Sequence, residues 1–333
     1  MRLRRVEIQG YRGLQSATFD LTHPDGDPLP VAAIVGPNGS GKSSVLAAIA
    51  GTLTQHWSPY GGSKLNLRDI ASESAEVKLL VDDAIGEERR SFTLRAGGIR
   101  HGGWTGGDPD EARWWSDALS DARPATTGLA LAFDAHRLIP PLEVDEVNER
   151  RVTTTARGNA LAPSLRRDRT MWFRFAHLEQ WIVNLDHLRA RAKADRGEAF
   201  PLWDMLVQGL DEILAPVRFE GVDAALEVRF ATPTGSVPLS ALSDGFRSVF
   251  VIVSELVLRL SLATDDPYAA LDQQALCLID EIDAHLHPRW QLQIVRGLQR
   301  LFPKVQFIVT TQSPYVVASL EPHEVFRLGE IDP

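Results

Sequence analysis

Between Val31 and Gly51 the chain reads VAAIVGPNGSGKSSVLAAIAG. Five apolar residues, Val31, Ala32, Ala33, Ile34 and Val35, predict a fully buried strand, and Ser44 to Ala50 predict a helix. The joint between them, Gly36-Pro37-Asn38-Gly39-Ser40-Gly41-Lys42-Ser43, fits G-x-x-x-x-G-K-[ST], and strand, glycine loop, helix is the context in which that pattern has a mechanism. Gly36, Gly39 and Gly41 let the backbone turn several N–H groups towards one anion, and the helix N-terminus adds its positive end. Lys42 is then placed for the β- and γ-phosphates and the Ser43 hydroxyl for Mg²⁺, with Ser44 as a neighbour. A phosphate-binding P-loop follows, in preference to a plain glycine turn between core elements.

A chain of 333 residues with 44% hydrophobic content can bury one large core or two moderate ones. Its lone cysteine, Cys277, lies within the apolar run Ala275 to Ile279, which excludes an internal disulfide and cysteine metal sites and fits an intracellular setting. Met1 to Gly10 carries Arg2, Arg4, Arg5 and Glu7 and has no apolar core of the signal-peptide kind. Glu255 and Arg259 interrupt the apolar stretch Val249 to Leu262, so a buried helix is expected there and not a membrane span. The expectation is a soluble cytoplasmic protein without membrane partners. The net charge of −9 argues against unspecific DNA coating, but Arg150 to Arg196 holds 11 basic and 4 acidic residues, a local +7, against 24 and 40 in the remainder.

In chain order, two short strands flank a turn at Gly10-Tyr11-Arg12-Gly13, with Val6 and Ile8 alternating on the first and Ala17, Phe19 and Leu21 on the second. Val77, Leu79 and Val81, a turn at Asp82 to Gly86, then Phe92 and Leu94 predict an antiparallel hairpin. Gly97 to Pro109 reads as a loop, since no strand and helix enclose it. Leu129 to Phe133 is a buried strand ending in Asp134-Ala135-His136-Arg137. Phe175, Leu178, Trp181, Ile182, Leu185 and Leu188 recur at helical spacing, as do Met205, Leu206, Leu210 and Ile213. Residues 138–216 therefore read as a mainly helical, basic insertion between core segments 1–137 and 217–333. Its aromatics Trp172, Phe173, Phe175 and Trp181 fit helix core better than base stacking. Leu226, Val228 and Phe230, a turn at Pro233-Thr234-Gly235 and a run to Leu239 give a further hairpin. A buried strand, Ala275 to Ile279, ends in Asp280-Glu281-Ile282-Asp283-Ala284-His285-Leu286-His287. Pro288 then opens a helix with Trp290, Ile294, Leu298 and Leu301. Strand Val305 to Thr311 runs into Gln312-Ser313-Pro314, and a short strand, Glu324 to Leu328, closes the pattern.

Alternating strands and helices around a P-loop predict an α/β fold with a mainly parallel sheet flanked by helices, plus an antiparallel β-subdomain, with ligands at the carboxyl ends of the parallel strands. Asp280-Glu281 lies at one such end. A carboxylate there can hold Mg²⁺ through a water, and its neighbour can polarise the attacking water, which assigns Asp280 to the metal and Glu281 to the base. Ser243-Asp244-Gly245 opens another helix, where a hydroxyl, a glycine and a helix N-terminus form a second anion site or an ordinary N-cap. As an anion site it is useful if it caps the nucleotide of another subunit. Asp283, His285 and His287 could suggest a transition-metal site, a reading that is set aside.

Together, G-P-N-G-S-G-K-S, L-S-D-G-F, L-I-D-E-I-D-A-H-L-H-P-R-W and F-I-V-T-T-Q-S-P resemble the Walker A, signature, Walker B with D-loop, and switch segments of ABC-type ATPases. The likeness is to soluble AAA-family ATPases related to the OLD (overcoming lysogenization defect) proteins and to the ATPase subunits of Septu and retron-associated phage-defence systems. It covers residues 1–137 and 217–333. The resemblance implies ATP and Mg²⁺ as cofactors and head-to-tail composite sites, in which Ser243 and Gly245 of one subunit meet the γ-phosphate held by Lys42 of the other. Three departures stand out. Gln312 occupies the position of the usual switch histidine, and an amide can donate to a γ-phosphate but cannot carry a proton, so slow hydrolysis is expected. No glutamine stands close after Phe133, so the Q-loop contact to the metal is unassigned. OLD proteins continue into a Toprim nuclease domain, whereas this sequence stops soon after its switch segment, so a separate effector, such as a nuclease, is expected.

The reading is an ATPase whose dimer closes on ATP in a defence or DNA-surveillance complex, with nucleic acid as a candidate partner of the basic insertion. The alternative is a repair or chromosome-maintenance clamp of the SMC kind, which sustained heptads would favour and this sequence lacks. A transporter nucleotide-binding subunit fits less well, because Asp244-Gly245-Phe246 replaces the usual Gly-Gly-Gln and the D-loop differs.

Overall fold

The computed structural model describes residues 1–57, 76–85, 88–97, 129–135, 137, 144, 146–147, 175, 177–196, 200–264 and 266–329. Of the candidate loop at Gly97 to Pro109, all but Gly97 lies outside them, as does the basic stretch from Arg150 to Arg174, including Trp172 and Phe173.

Five parallel strands form the centre, in the order β12 (Val325–Arg327), β3 (Val31–Val35), β11 (Val305–Thr311), β10 (Ala275–Ile279), β6 (Ala130–Phe133). β3, β6, β10 and β11 are nearly continuous apolar runs because both faces of the sheet are covered. Alternation divides their side chains between two cores. Val31, Ala33, Leu131, Phe133, Cys277, Ile279, Phe307 and Val309 enter one, and Ala32, Ile34, Ala130, Ala132, Leu276, Leu278 and Ile308 enter the other.

The second core is closed by α1 (Lys42–Trp57) and an antiparallel sheet in the order β2 (Leu14–Asp20), β1 (Arg2–Tyr11), β4 (Glu76–Ile85), β5 (Glu88–Gly97). Val6 and Phe19 face each other across β1 and β2. Gln306 links this sheet to β11 from a fully buried position: its amide nitrogen donates to the carbonyls of Leu3 (2.8 Å) and Leu29 (2.9 Å), and its oxygen accepts from the Leu3 N–H (2.6 Å). Every polar atom of that side chain is satisfied, which is what makes a buried amide tolerable. The hairpin turn lies later than the sequence suggests. Asp82, Asp83, Ala84 and Ile85 stay in β4, paired with Ser91, Arg90, Arg89 and Glu88, and the Asp82 carboxylate is satisfied within the sheet, accepting from Arg4 (2.9 Å) and the Ser91 hydroxyl (2.5 Å).

The first core holds the helices. α2 (His177–Arg196) and α3 (Pro201–Leu214) bring Leu178, Trp181, Ile182 and Leu185, and Trp203, Leu206, Leu210 and Ile213, into the same apolar cluster as α4 (Asp244–Ser261). Phe175 stacks on Phe133 of β6, with ring centroids 6.0 Å apart. Leu188, expected on the buried face of α2, is 37% exposed, because that helix runs beyond the core towards its C-terminal end. α4 is buried through most of its length and holds Glu255 and Arg259 as an i, i+4 ion pair of 2.7 Å, with His177 on the other Glu255 oxygen at 2.8 Å. Burial pushes the Glu255 carboxyl up, and the His177 hydrogen bond and the Arg259 charge outweigh it, leaving the group below its ordinary range.

A small antiparallel sheet, β7 (Arg218–Val222), β8 (Val228–Thr232) and β9 (Gly235–Pro238), packs on this bundle through Phe219 and Phe230. β7 is an addition to the expected hairpin, and Leu226 lies in the turn before β8 with φ +62°. The helix expected after Pro288 is two pieces, α5 (Pro288–Gln291) and α6 (Ile294–Leu301), separated at Leu292-Gln293. Beyond β11, α7 (Pro314–Ala318) is capped by Ser313, whose hydroxyl accepts from the N–H groups of Tyr315 and Val316.

Candidate functional site

Three parallel strands deliver their chemistry to one end of the sheet. β3 runs into the glycine loop, β10 runs into Asp280-Glu281, and β11 lies between them, with Val35 paired to Thr311 and Ile279 to Val309. At a strand spacing of about 4.8 Å, the loop and the acidic pair leave the sheet roughly 10 Å apart.

In the loop, Gly39 and Gly41 take φ of +83° and +99°, the left-handed region in which a side chain is strained. Pro37, Asn38 and Gly39 are exposed, and Gly36, Ser40, Ser43 and Ser44 half-buried. Lys42 is 7% exposed and folds back so that Nζ donates to the carbonyls of Gly36 (2.8 Å) and Pro37 (2.9 Å). Those contacts hold the ammonium against the loop, where it can meet an anion placed over α1.

The acidic pair is built from β11 as much as from β10. The Thr310 hydroxyl donates to Asp280 Oδ1 (2.5 Å) and accepts from the Glu281 N–H (2.8 Å). This fixes the Asp280 rotamer in an 8% exposed position and leaves Oδ2 without a hydrogen-bond partner among the described residues. A buried carboxylate with one oxygen anchored and one open is the donor type that suits Mg²⁺ or a water on it, so the residues present fit that ion. Glu281 takes φ +46°, and its carboxylate has no partner among the described residues.

Sequence reasoning missed the group behind this pair. Arg137, 2% exposed, donates from Nη1 to the carbonyls of Asp134 (2.8 Å) and Asp280 (2.5 Å), from Nη2 to the carbonyl of Glu281 (2.9 Å) and from Nε to the Ser248 hydroxyl on α4 (2.8 Å). Burial pushes its pKa down to about 10, against the opposing pull of Asp134, Asp280, Asp283 and Glu281, so it stays charged at neutral pH. Its only signal in the sequence was a position four residues beyond the end of a buried strand.

The D-loop and switch segments form one hydrogen-bonded unit. Thr311 donates to Asp283 (2.5 Å), and Gln291 donates to the Leu286 carbonyl (2.7 Å) and accepts from the Ser313 hydroxyl (2.6 Å). Gln312 points out of this unit as an exposed residue. Asp283, His285 and His287 gather no metal cluster; among the described residues no three His, Cys, Asp or Glu side chains do.

Ser243 takes the N-cap position of α4, yet its hydroxyl makes no cap hydrogen bond and the residue is exposed. Asp244 pairs with Arg247 instead. Gly245 is buried, and a Cβ there would stand 2.4 Å from the His285 carbonyl oxygen, so the start of α4 rests directly on the D-loop backbone. Phe246 packs edge-on against Trp290 with centroids 4.4 Å apart, closing the same contact.

The profile of a family described as "AAA domain, putative AbiEii toxin, Type IV TA system" matches residues 31–318. The chain belongs to that AAA family. Septu protein PtuA of Bacillus mycoides (strain KBAB4) is 26% identical over 98% of this chain and 40% of its own length, and Septu protein PtuA of Bacillus thuringiensis is 24% identical over 98% and 76%. The retron Ec83 probable ATPase of Escherichia coli is 37% identical over 93 residues, 28% of this chain and 17% of that protein. The chain thus spans less than half of one Septu relative and about three quarters of the other. A structure described as the SmcHead bound to the C-winged helix domain of ScpA matches 96% of this chain and 92% of that one at 15% identity with a TM-score of 0.52, a likeness of fold. The AAA-family membership and the Septu and retron likeness agree with the resemblance read from the motifs. Among the described residues no helix is long and apolar enough to cross a membrane.

Proposed function

We propose that the chain binds ATP with Mg²⁺, hydrolyses it, and uses the nucleotide to close a head-to-tail dimer that controls a separate effector in a defence or DNA-surveillance complex. The observation that carries this reading is the convergence of the Lys42 loop, the anchored Asp280 and the uncommitted Glu281 at the carboxyl ends of β3 and β10, the two parallel strands that flank β11. Backbone N–H groups of the glycine loop and the Lys42 ammonium bind the phosphates. Ser43 and Asp280 would hold Mg²⁺, which when bound supplies charge neutralisation on the β- and γ-oxygens. Glu281 orients a water and accepts its proton as the O–P bond forms and the bridging bond to ADP breaks. Gln312 donates to the γ-phosphate without taking a proton.

Ser243 and Gly245 complete the site of the partner subunit; the uncommitted, exposed Ser243 hydroxyl supports that role. The relatives' names, Septu protein and retron ATPase, favour a defence complex over a chromosome clamp. The basic stretch Arg150 to Arg196 is read as the segment that binds a polyanion or an acidic partner. Reversing Arg166, Arg167 and Arg169 to Glu should weaken that association and flatten its salt dependence, and equal binding by both proteins across a salt titration refutes that role.

Calorimetry and phosphate release test the nucleotide reading together. Lys42→Ala should abolish ATP binding. Glu281→Gln should retain binding and lose about 10²-fold or more in turnover. Undiminished affinity in the first variant, or undiminished turnover in the second, overturns it.

A further inference from the structure

We infer that Arg137 is a positioning residue that sets the geometry of Glu281 and ties it to α4, so that the hydrolytic pair and the signature helix are held by one buried side chain. The inference rests on the reading of Glu281 as the base.

Glu281 lies at φ +46°, a left-handed conformation that a non-glycine residue adopts only when its surroundings impose it. The imposing contacts are on both sides of the residue. Its N–H is held by Thr310, and its carbonyl is held by Arg137 Nη2, while Nη1 holds the carbonyl of Asp280 just before it. The direction of the Glu281 side chain is thereby set from behind, by a group that does not touch the nucleotide side. The fourth donor of the same guanidinium, Nε, reaches Ser248 one helical turn into α4, the helix that begins with Ser243, Asp244 and Gly245. A planar fork with donors in fixed directions can serve Asp134, Asp280, Glu281 and Ser248 at once, and a lysine ammonium cannot. Burial of this cation among backbone carbonyls, with no carboxylate in direct hydrogen-bond contact, is costly in itself, which argues that the arrangement is kept for geometry and not for stability.

The test uses the full chain as wild type, Glu281→Gln, Arg137→Lys, Ser248→Ala and the double variant Glu281→Gln with Arg137→Lys. ATP affinity is measured by calorimetry, turnover by single-turnover phosphate release, and folding by thermal melting. Arg137→Lys should bind ATP within about threefold of wild type and turn over about 10- to 100-fold more slowly, the size of a lost positioning contact. In the Glu281→Gln background the same change should cost less than about twofold, because a residue acting through Glu281 has nothing left to act on. Ser248→Ala should reproduce a fraction of the turnover loss with affinity unchanged, and it decides the matter alone if Arg137→Lys does not fold. Normal turnover in Arg137→Lys or, where that variant does not fold, in Ser248→Ala overturns the inference, as does a full, additive loss in the double variant. If Glu281→Gln itself turns over normally, the reading of Glu281 as base fails first, and the inference falls with it.

Discussion

At Gly245 the usual preference for side chains in helices is reversed by one contact. Glycine near a helix start is worse than alanine by up to about 1 kcal/mol on propensity, but a methyl group here would meet the His285 carbonyl at 2.4 Å, and that atom is backbone. Gly245→Ala should therefore destabilise the protein by about 1–3 kcal/mol, read as a lower urea midpoint at unchanged slope; an unchanged or higher midpoint would show that α4 does not rest on the D-loop as described. Individual residues were unevenly legible. Lys42 stood out because a motif states its spacing along the chain, and Asp280 and Glu281 because a buried strand ends on them. Arg137, Thr310 and Gln291 did not, because what defines them is a partner at a distance: Arg137 and Asp280 are 143 positions apart, and Thr310 and Asp280 are 30.

Among the elements, α2 carries the clearest dependence on pH. Glu179, in its first turn, has its pKa raised from 4.5 to about 7, chiefly by burial and further by the nearby Glu227 charge. A carboxyl whose folded pKa lies above its unfolded value favours the folded state while it is protonated, and that contribution is fully present below about 4.5 and lost as the pH rises through about 7. Glu179→Gln should thus melt at a higher temperature than wild type at pH 8, with the gap closing as the pH falls towards 4.5. A gap independent of pH would mean that Glu179 titrates normally. The elements themselves were legible where periodicity was strong: β3, β10, β11 and the buried faces of α2 and α3 sit where apolar spacing puts them. Boundaries failed where a local signal competed with a tertiary one. Asp82-Asp83 looks like a turn but pairs with Ser91 and Arg90 in β5, and the helix after Pro288 is interrupted at Leu292-Gln293 in spite of its continuous apolar spacing. β7 escaped notice because Arg218, Glu220 and Gly221 dilute its pattern.

On the scale of the molecule, one parallel sheet separates two cores, and its carboxyl end gathers the P-loop, the acidic pair and the D-loop, while α4 begins on the D-loop side through Gly245 and Phe246. The α/β class and the sheet's parallel character followed from a P-loop followed by alternating elements; the strand order did not, since it is fixed by pairing between segments far apart in the chain. The central proposal is that two such molecules complete each other's ATP sites. Glu281→Gln keeps Asp280, Ser43 and Lys42 for nucleotide and removes the proton acceptor, so ATP should persist and the closed dimer accumulate. Light scattering with ATP and Mg²⁺ compares Glu281→Gln with the double variant Glu281→Gln, Ser243→Arg, whose bulky cation obstructs the exposed start of α4. The account predicts a dimer for the first and a monomer for the second; equal masses with ATP would contradict it.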